Sequence, residues 1–117
     1  MTTPDRRAGA GALYGTLEVL ILNSLKDHGT LHGLEVARLI RDRSEEVLHV
    51  EEGALYPALH RLERQGLIEG EWHISEKRRR ARFYQMTATG KKALRSELKS
   101  WIEHADAVSK VLGLRKV

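Results

Sequence analysis

The sequence predicts a mainly α fold that carries one small β-hairpin. Three observations predict it. Apolar residues recur at helical spacing in three segments before Gly66 and in one long segment after Thr87. Between them, "LIEGEWHIS" and "RFYQMT" are short, rich in β-branched and aromatic residues, and separated by a basic run. The chain has 117 residues, enough for one core but not comfortably for two.

Residues 1–12 are polar and rich in Gly and Ala, and form an expected flexible N-terminal arm. The first helix follows in "TLEVLILNSLKDHG". Its apolar positions Leu17, Val19, Leu20, Ile21, Leu22 and Leu25 surround most of a helix, so it should be central and buried, with Gly29 as its stop. In "LHGLEVARLIRDRSEE", Leu34, Ala37, Leu39 and Ile40 give the second helix a one-sided stripe. The third pattern, "GALYPALHRLERQG", places Leu55, Ala58, Leu59 and Leu62 on one face. Pro57 belongs in the first turn of that helix, because deeper inside it would lose a hydrogen bond and clash, so the helix should start near Gly53 or Ala54. The hairpin comes next; Phe83 and Tyr84 alternate faces, so one of them should pack beneath it. Thr87 or Thr89 then caps a last helix reaching about Leu112.

Three short helices with a hairpin after the third are the winged helix-turn-helix arrangement. There the third helix enters the major groove of duplex DNA and the wing reaches the flanking backbone. The expected organisation is an arm over residues 1–12, a winged helix-turn-helix domain over 13–87 and a C-terminal dimerisation helix over 88–117.

Charge supports a nucleic-acid partner. The net charge is +4, from 20 Lys and Arg against 16 Asp and Glu. From Ser75 to Arg82 there are five basic residues and one acid, so this segment alone holds a surplus equal to that of the whole chain. Crowded like charges repel unless an anion relieves them, and a concentrated basic patch is the footprint of DNA binding. The candidate contacts are Lys77, Arg78, Arg79 and Arg80 at the hairpin tip. On the third helix they are Pro57, His60 and Arg64 on the outward face, beginning beside Gly53, with Tyr56 and Arg61 on its flanks. Tyr56 can offer a hydroxyl to phosphate, and the arginines can reach phosphates or guanine edges. Glu51 and Glu52 either suit the helix dipole or accept from a cytosine amino group.

Other classes are weaker. There is no cysteine, no Gly-rich phosphate loop and no HExxH, so no catalytic residue, cofactor or metal site is expected. His28 and His32 are four apart, but Gly29 and Thr30 interrupt the helix between them. No apolar run approaches a membrane span and no leader is readable, so a cytoplasmic protein with no membrane partner is expected. The alternative is a winged-helix module that binds protein, or an anionic surface, rather than specific DNA.

Leu94, Leu98, Trp101, Ala105, Val108 and Leu112 are spaced 4-3-4-3-4 along the last helix. This is a heptad seam, expected where two helices pair along their length, here in a homodimer. Trp101 lies within it, either as a dimer anchor or as a flat face for a small planar aromatic effector.

"GTLEVLILNSL", "LHGLEVARLI", "GALYPALHRLERQGLIEGEW" and "RRARFYQMTATGKKAL" together resemble the PadR family of bacterial transcriptional regulators, in its short branch with a single C-terminal helix. The likeness covers about residues 14–112. It implies a winged-helix homodimer that represses transcription and releases DNA when a small molecule binds. By the same likeness Tyr56, its helix and the wing tip would touch DNA, and Trp101 would stack on planar compounds. Members of the family often carry paired tyrosines and a Gly-rich wing tip. This chain has Phe83–Tyr84 and a more basic tip.

Overall fold

The apolar residues of "TLEVLILNSL" lie at the centre of the molecule. In a computed structural model that describes residues 3–114, with side chains from Thr16 onward, Ile21, Leu22 and Leu25 are almost fully buried. They belong to helix α1, Thr3–His28. The helix therefore begins before the expected boundary at residue 13. The backbone of the expected arm is helical from Thr3, while residues 1 and 2 lie outside the described part. Gly29 ends α1 in the left-handed region, with φ of 81°.

After a two-residue strand β1 (Leu31–His32) come helices α2 (Gly33–Arg43) and α3 (Glu52–Arg64). His32 caps α2: its Nδ1 accepts from the Glu35 amide, and the Glu35 carboxylate accepts from the His32 amide. The buried face of α2 is Gly33, Val36 and Ile40; Leu34, expected in the core stripe, is exposed. On α3, Leu55, Ala58, Leu59 and Leu62 are all buried as expected. The helix starts at Glu52, so Pro57 lies in its second turn, not its first. The Gly53 carbonyl that Pro57 cannot bond belongs to an exposed residue.

Strands β2 (Ile68–Ile74) and β3 (Arg80–Met86) form the hairpin. Their register pairs Ile68 with Met86, Gly70 with Tyr84, Trp72 with Arg82 and Ile74 with Arg80. Strand β1 adds to the other edge of β3, pairing Leu31 with Tyr84 and His32 with Phe83, so the sheet order is β1-β3-β2. Tyr84 is the buried member of the Phe83–Tyr84 pair. Phe83 stands edge-on between the His32 and His73 rings, with centroids at 5.3 and 5.6 Å.

Helix α4 (Ala88–Leu112) is capped by Thr87, whose hydroxyl accepts from the Gly90 amide at 3.0 Å. Its first turns dock on α1 and the base of the wing. Leu94 is 2% exposed and sits inside this chain's own core, and Leu98 packs against that core. Among the described residues, no helix is long and apolar enough to cross a membrane.

Candidate nucleic-acid interface

The fold aims the polar side of α3 outward because its leucines are drawn inward against α1. Gly53, Pro57, His60 and Arg64 are exposed, and they lie on the face opposite Leu55, Leu59 and Leu62. Tyr56 is half-buried. It lies so close to the start of α2 that a Cβ on Gly33 would meet its Cε1 at 3.0 Å and its hydroxyl oxygen at 3.2 Å. Burial, and then the nearby Glu52 carboxylate, hold its hydroxyl proton above the ordinary tyrosine range. At neutral pH Tyr56 is therefore a hydrogen-bond donor.

Arg61 is placed elsewhere. Its Nε donates to Glu18 Oε2 on α1 at 3.1 Å. From the flank of α3, the Arg61 side chain turns towards α1 and joins the two helices. Glu51 and Glu52 are exposed at the helix start, and the Glu51 side chain makes no capping hydrogen bond.

At the wing tip, the Ser75 amide donates to the Arg79 carbonyl and the Arg78 amide to the Ser75 carbonyl, both at 2.8 Å. This tight turn, with Arg78 at φ of 61°, exposes Lys77, Arg78, Arg79 and Arg80. Between the tip, α3 and the start of α2 lies a cleft of about 640 Å³. Its walls include Tyr56 and His60 from α3, Lys77, Arg79 and Arg80 from the wing, and Arg38 from α2. Two of the expected groups of contacts, separated by more than ten residues of sequence, thus face a common space.

Four wall residues were not legible as site residues. Leu34 and Arg38 lie one turn apart on the exposed face of α2, and His32 is its N-cap. The signal that could have found them is the four-residue spacing of Leu34 and Arg38, taken as a second face beside Val36 and Ile40. Trp72 is the fourth: it is 53% exposed on β2, in the same cleft, with the guanidinium groups of Arg80 and Arg82 over its ring.

On the last helix the expected seam divides. Trp101, Val108 and Leu112 are 43%, 41% and 63% exposed, whereas Leu94 is withdrawn into the core and Ala105 is half-buried. Leu94 packs within this chain's own core, so α4 spends the first layer of its heptad pattern on its own domain. Trp101 has His104 tilted beside it, with ring centroids 6.0 Å apart.

The arrangement has relatives. Residues 21–96 match the model of the transcriptional regulator PadR-like family. A transcriptional regulator from Clostridium thermocellum superposes with a TM-score of 0.76 at 26% identity, covering 87% of this chain and 95% of that one. A PadR family regulator from Eggerthella lenta is 29% identical over 92% of this chain and 94% of its own, with a TM-score of 0.72. One from Clostridium difficile is 28% identical, covers 82% and 97%, and has a TM-score of 0.69. With its winged helix fold, its outward basic wing and a family match over most of its length, the chain belongs to the PadR-like family of transcriptional regulators.

Proposed function

We infer that this regulator is a cytoplasmic repressor that binds a pseudo-palindromic operator as a homodimer and is released by a small effector. One observation carries the DNA-binding part. Tyr56 and His60 on α3 and Lys77, Arg79 and Arg80 on the wing border one cleft, with Arg64 exposed further along the helix. Helix α3 supplies base-edge readers, and the wing supplies phosphate contacts that bind every sequence alike. Support for the homodimer is the apolar face of distal α4, where Trp101, Val108 and Leu112 stand exposed in heptad register. Two recognition helices related by a dyad read half-sites about one helical turn apart, roughly 10 bp. Trp101 on that face is the candidate contact for a planar aromatic effector.

The test is gel retardation of the DNA upstream of the gene, repeated across a salt series. Binding that falls steeply with salt and prefers one palindrome supports the reading. Binding that is indifferent to sequence, or absent, favours a protein-interaction module instead. For the effector, a titration of planar dyes with Trp101 quenching must be matched by weaker operator binding; quenching without that loss leaves Trp101 as a dimer anchor.

A further inference from the structure

Arg82 belongs to the basic run by sequence but not by placement. Its Nη2 donates to Glu63 Oε2 on α3, and both side chains are 28% exposed. The hydrogen bond to Glu63 raises the guanidinium pKa above its ordinary value, and the geometry directs this cation at a carboxylate on α3. Gly70 makes the reach possible. It lies beside Arg82 on the neighbouring strand, and a Cβ there would sit 2.8 Å from Arg82 Nε and 3.1 Å from its Cζ. The arginine crosses β2 where there is no side chain to stop it.

Trp72, directly opposite Arg82 in the register, extends the construction towards the tip. The Arg82 Cζ lies 5.6 Å from the Trp72 ring centroid and the Arg80 Cζ lies 4.7 Å from it. Both are within the range of cation–π attraction. The sequence Glu63–Arg82–Trp72–Arg80 therefore runs without a break from the recognition helix to the cation at the root of the wing tip.

We propose that Glu63, Arg82 and Trp72 are positioning residues for DNA binding: the ion pair fixes the wing's angle to α3, and Trp72 holds Arg80 at the cleft. Arg82 is then a strut, not a phosphate contact. This rests on the reading that α3 and the wing bind DNA together. It makes a prediction whose sign is opposite to simple electrostatics. Removing the negative charge of Glu63 next to a polyanion, and freeing Arg82, should tighten DNA binding if charge alone matters. If the pair is a strut, the same change weakens it.

The experiment compares wild type, Glu63→Gln, Arg82→Gln and the double variant on a mixed-sequence duplex over a salt series. The active fraction is measured by stoichiometric titration, so misfolded protein is counted apart from weakened binding. The expected result is about a two- to fivefold loss of affinity in each single variant, the scale of one partly exposed ion pair. The double variant should be no worse than either single one, and the salt slope should be shallower because the wing's cations are no longer held in place. Trp72→Phe, which keeps an aromatic face, should retain more affinity than Trp72→Leu. Opposite effects in Glu63→Gln and Arg82→Gln, or additive losses in the double variant, would overturn the strut, as would equal affinity of the two Trp72 variants. Arg79→Ala serves as the marker for the underlying reading. If it weakens binding while Glu63→Gln does not, only the strut fails; if neither does, the wing is not a DNA contact and both readings fall.

Discussion

Gly90→Ala is a substitution that local rules and the structure predict with opposite signs. Gly90 is the third residue of α4, and in an exposed helix the change to alanine stabilises by about 1 kcal/mol. Here a Cβ would lie 2.0 Å from the Leu67 carbonyl oxygen and 2.7 Å from Met86 Cγ. Met86 can rotate away, but the Leu67 carbonyl is backbone and accepts from the Thr87 amide at 3.0 Å. Ordinary contact requires the helix to retreat by more than an ångström, which strains the Thr87 cap and loosens Leu94 in the core. Overpacking of this kind costs about 1–3 kcal/mol, and loss of a cap adds about 1. Set against the propensity gain, the net loss is about 2 kcal/mol. With an unfolding entropy near 2.1 cal/mol/K per residue over this chain, that is about 8 °C in Tm. Thermal unfolding followed by circular dichroism at matched protein concentration measures it. Ser96→Ala, on the exposed side of the same helix, is the control and should be neutral or slightly stabilising. A Gly90→Ala protein as stable as wild type would refute the close approach of α4 to the wing base.

Other expectations follow from the same geometry. Arg79→Ala and Arg80→Ala should weaken binding to all duplexes, with the salt slope reduced by about 1, as measured by titration across ionic strength; an unchanged slope would make the tip a solvated loop. Tyr56→Ala, His60→Ala and Arg64→Ala should alter which operators are preferred, by about 1–3 kcal/mol at a contacted base, whereas Arg61→Ala should leave preference alone and lower Tm. Val108→Glu and Leu112→Glu should raise the dimer dissociation constant at least about tenfold in sedimentation while sparing the monomer fold. Tyr84, through burial and then Glu63, and Tyr56, through burial and then Glu52, hold their protons above the usual range. The stability this represents is complete below about pH 10 and lost as pH rises through the raised values. Alkaline unfolding should therefore be less steep in Tyr84→Phe, and an identical profile would remove Tyr84 from that account.

Much of the architecture was legible because the periods change where the elements change. The leucines of α3 fall at helical spacing and are all buried, and the alternation through Phe83 and Tyr84 puts Tyr84 in the core. What was not legible depends on neighbours distant in sequence. Strand β1 is two residues long and exists only because β3 offers it an edge. Leu34 looked like core because leucine usually is, yet Val36 and Ile40 already fill that side of α2. In the sequence Arg61 and Arg82 are two more cations among many, but each pairs with a carboxylate on another element, Glu18 and Glu63. A run of basic residues states how much charge is present. Which of those charges are available is decided by tertiary pairing.

The division of α4 bears on how the regulator would be controlled. A helix of 25 residues is about 37 Å long. Its first turns are bolted to the domain by the Thr87 cap, the Gly90 contact and buried Leu94, so this end cannot pivot without disturbing the core. Its far half exposes Trp101, Val108 and Leu112 and has no such attachment through these side chains. On the dimeric reading, α4 is a lever with its partner at one end and the recognition helix rigidly mounted at the other. A small shift of two such levers at Trp101 changes the spacing of the recognition helices, which a fixed half-site spacing does not tolerate. On the same proposal, an effector at Trp101 would need no contact with the DNA face and no local unfolding. Because coupling free energy is reciprocal, operator DNA must then weaken effector binding by the same factor by which effector weakens operator binding. Loosening the mount, as Gly90→Ala would, should shrink that factor even where the effector still binds.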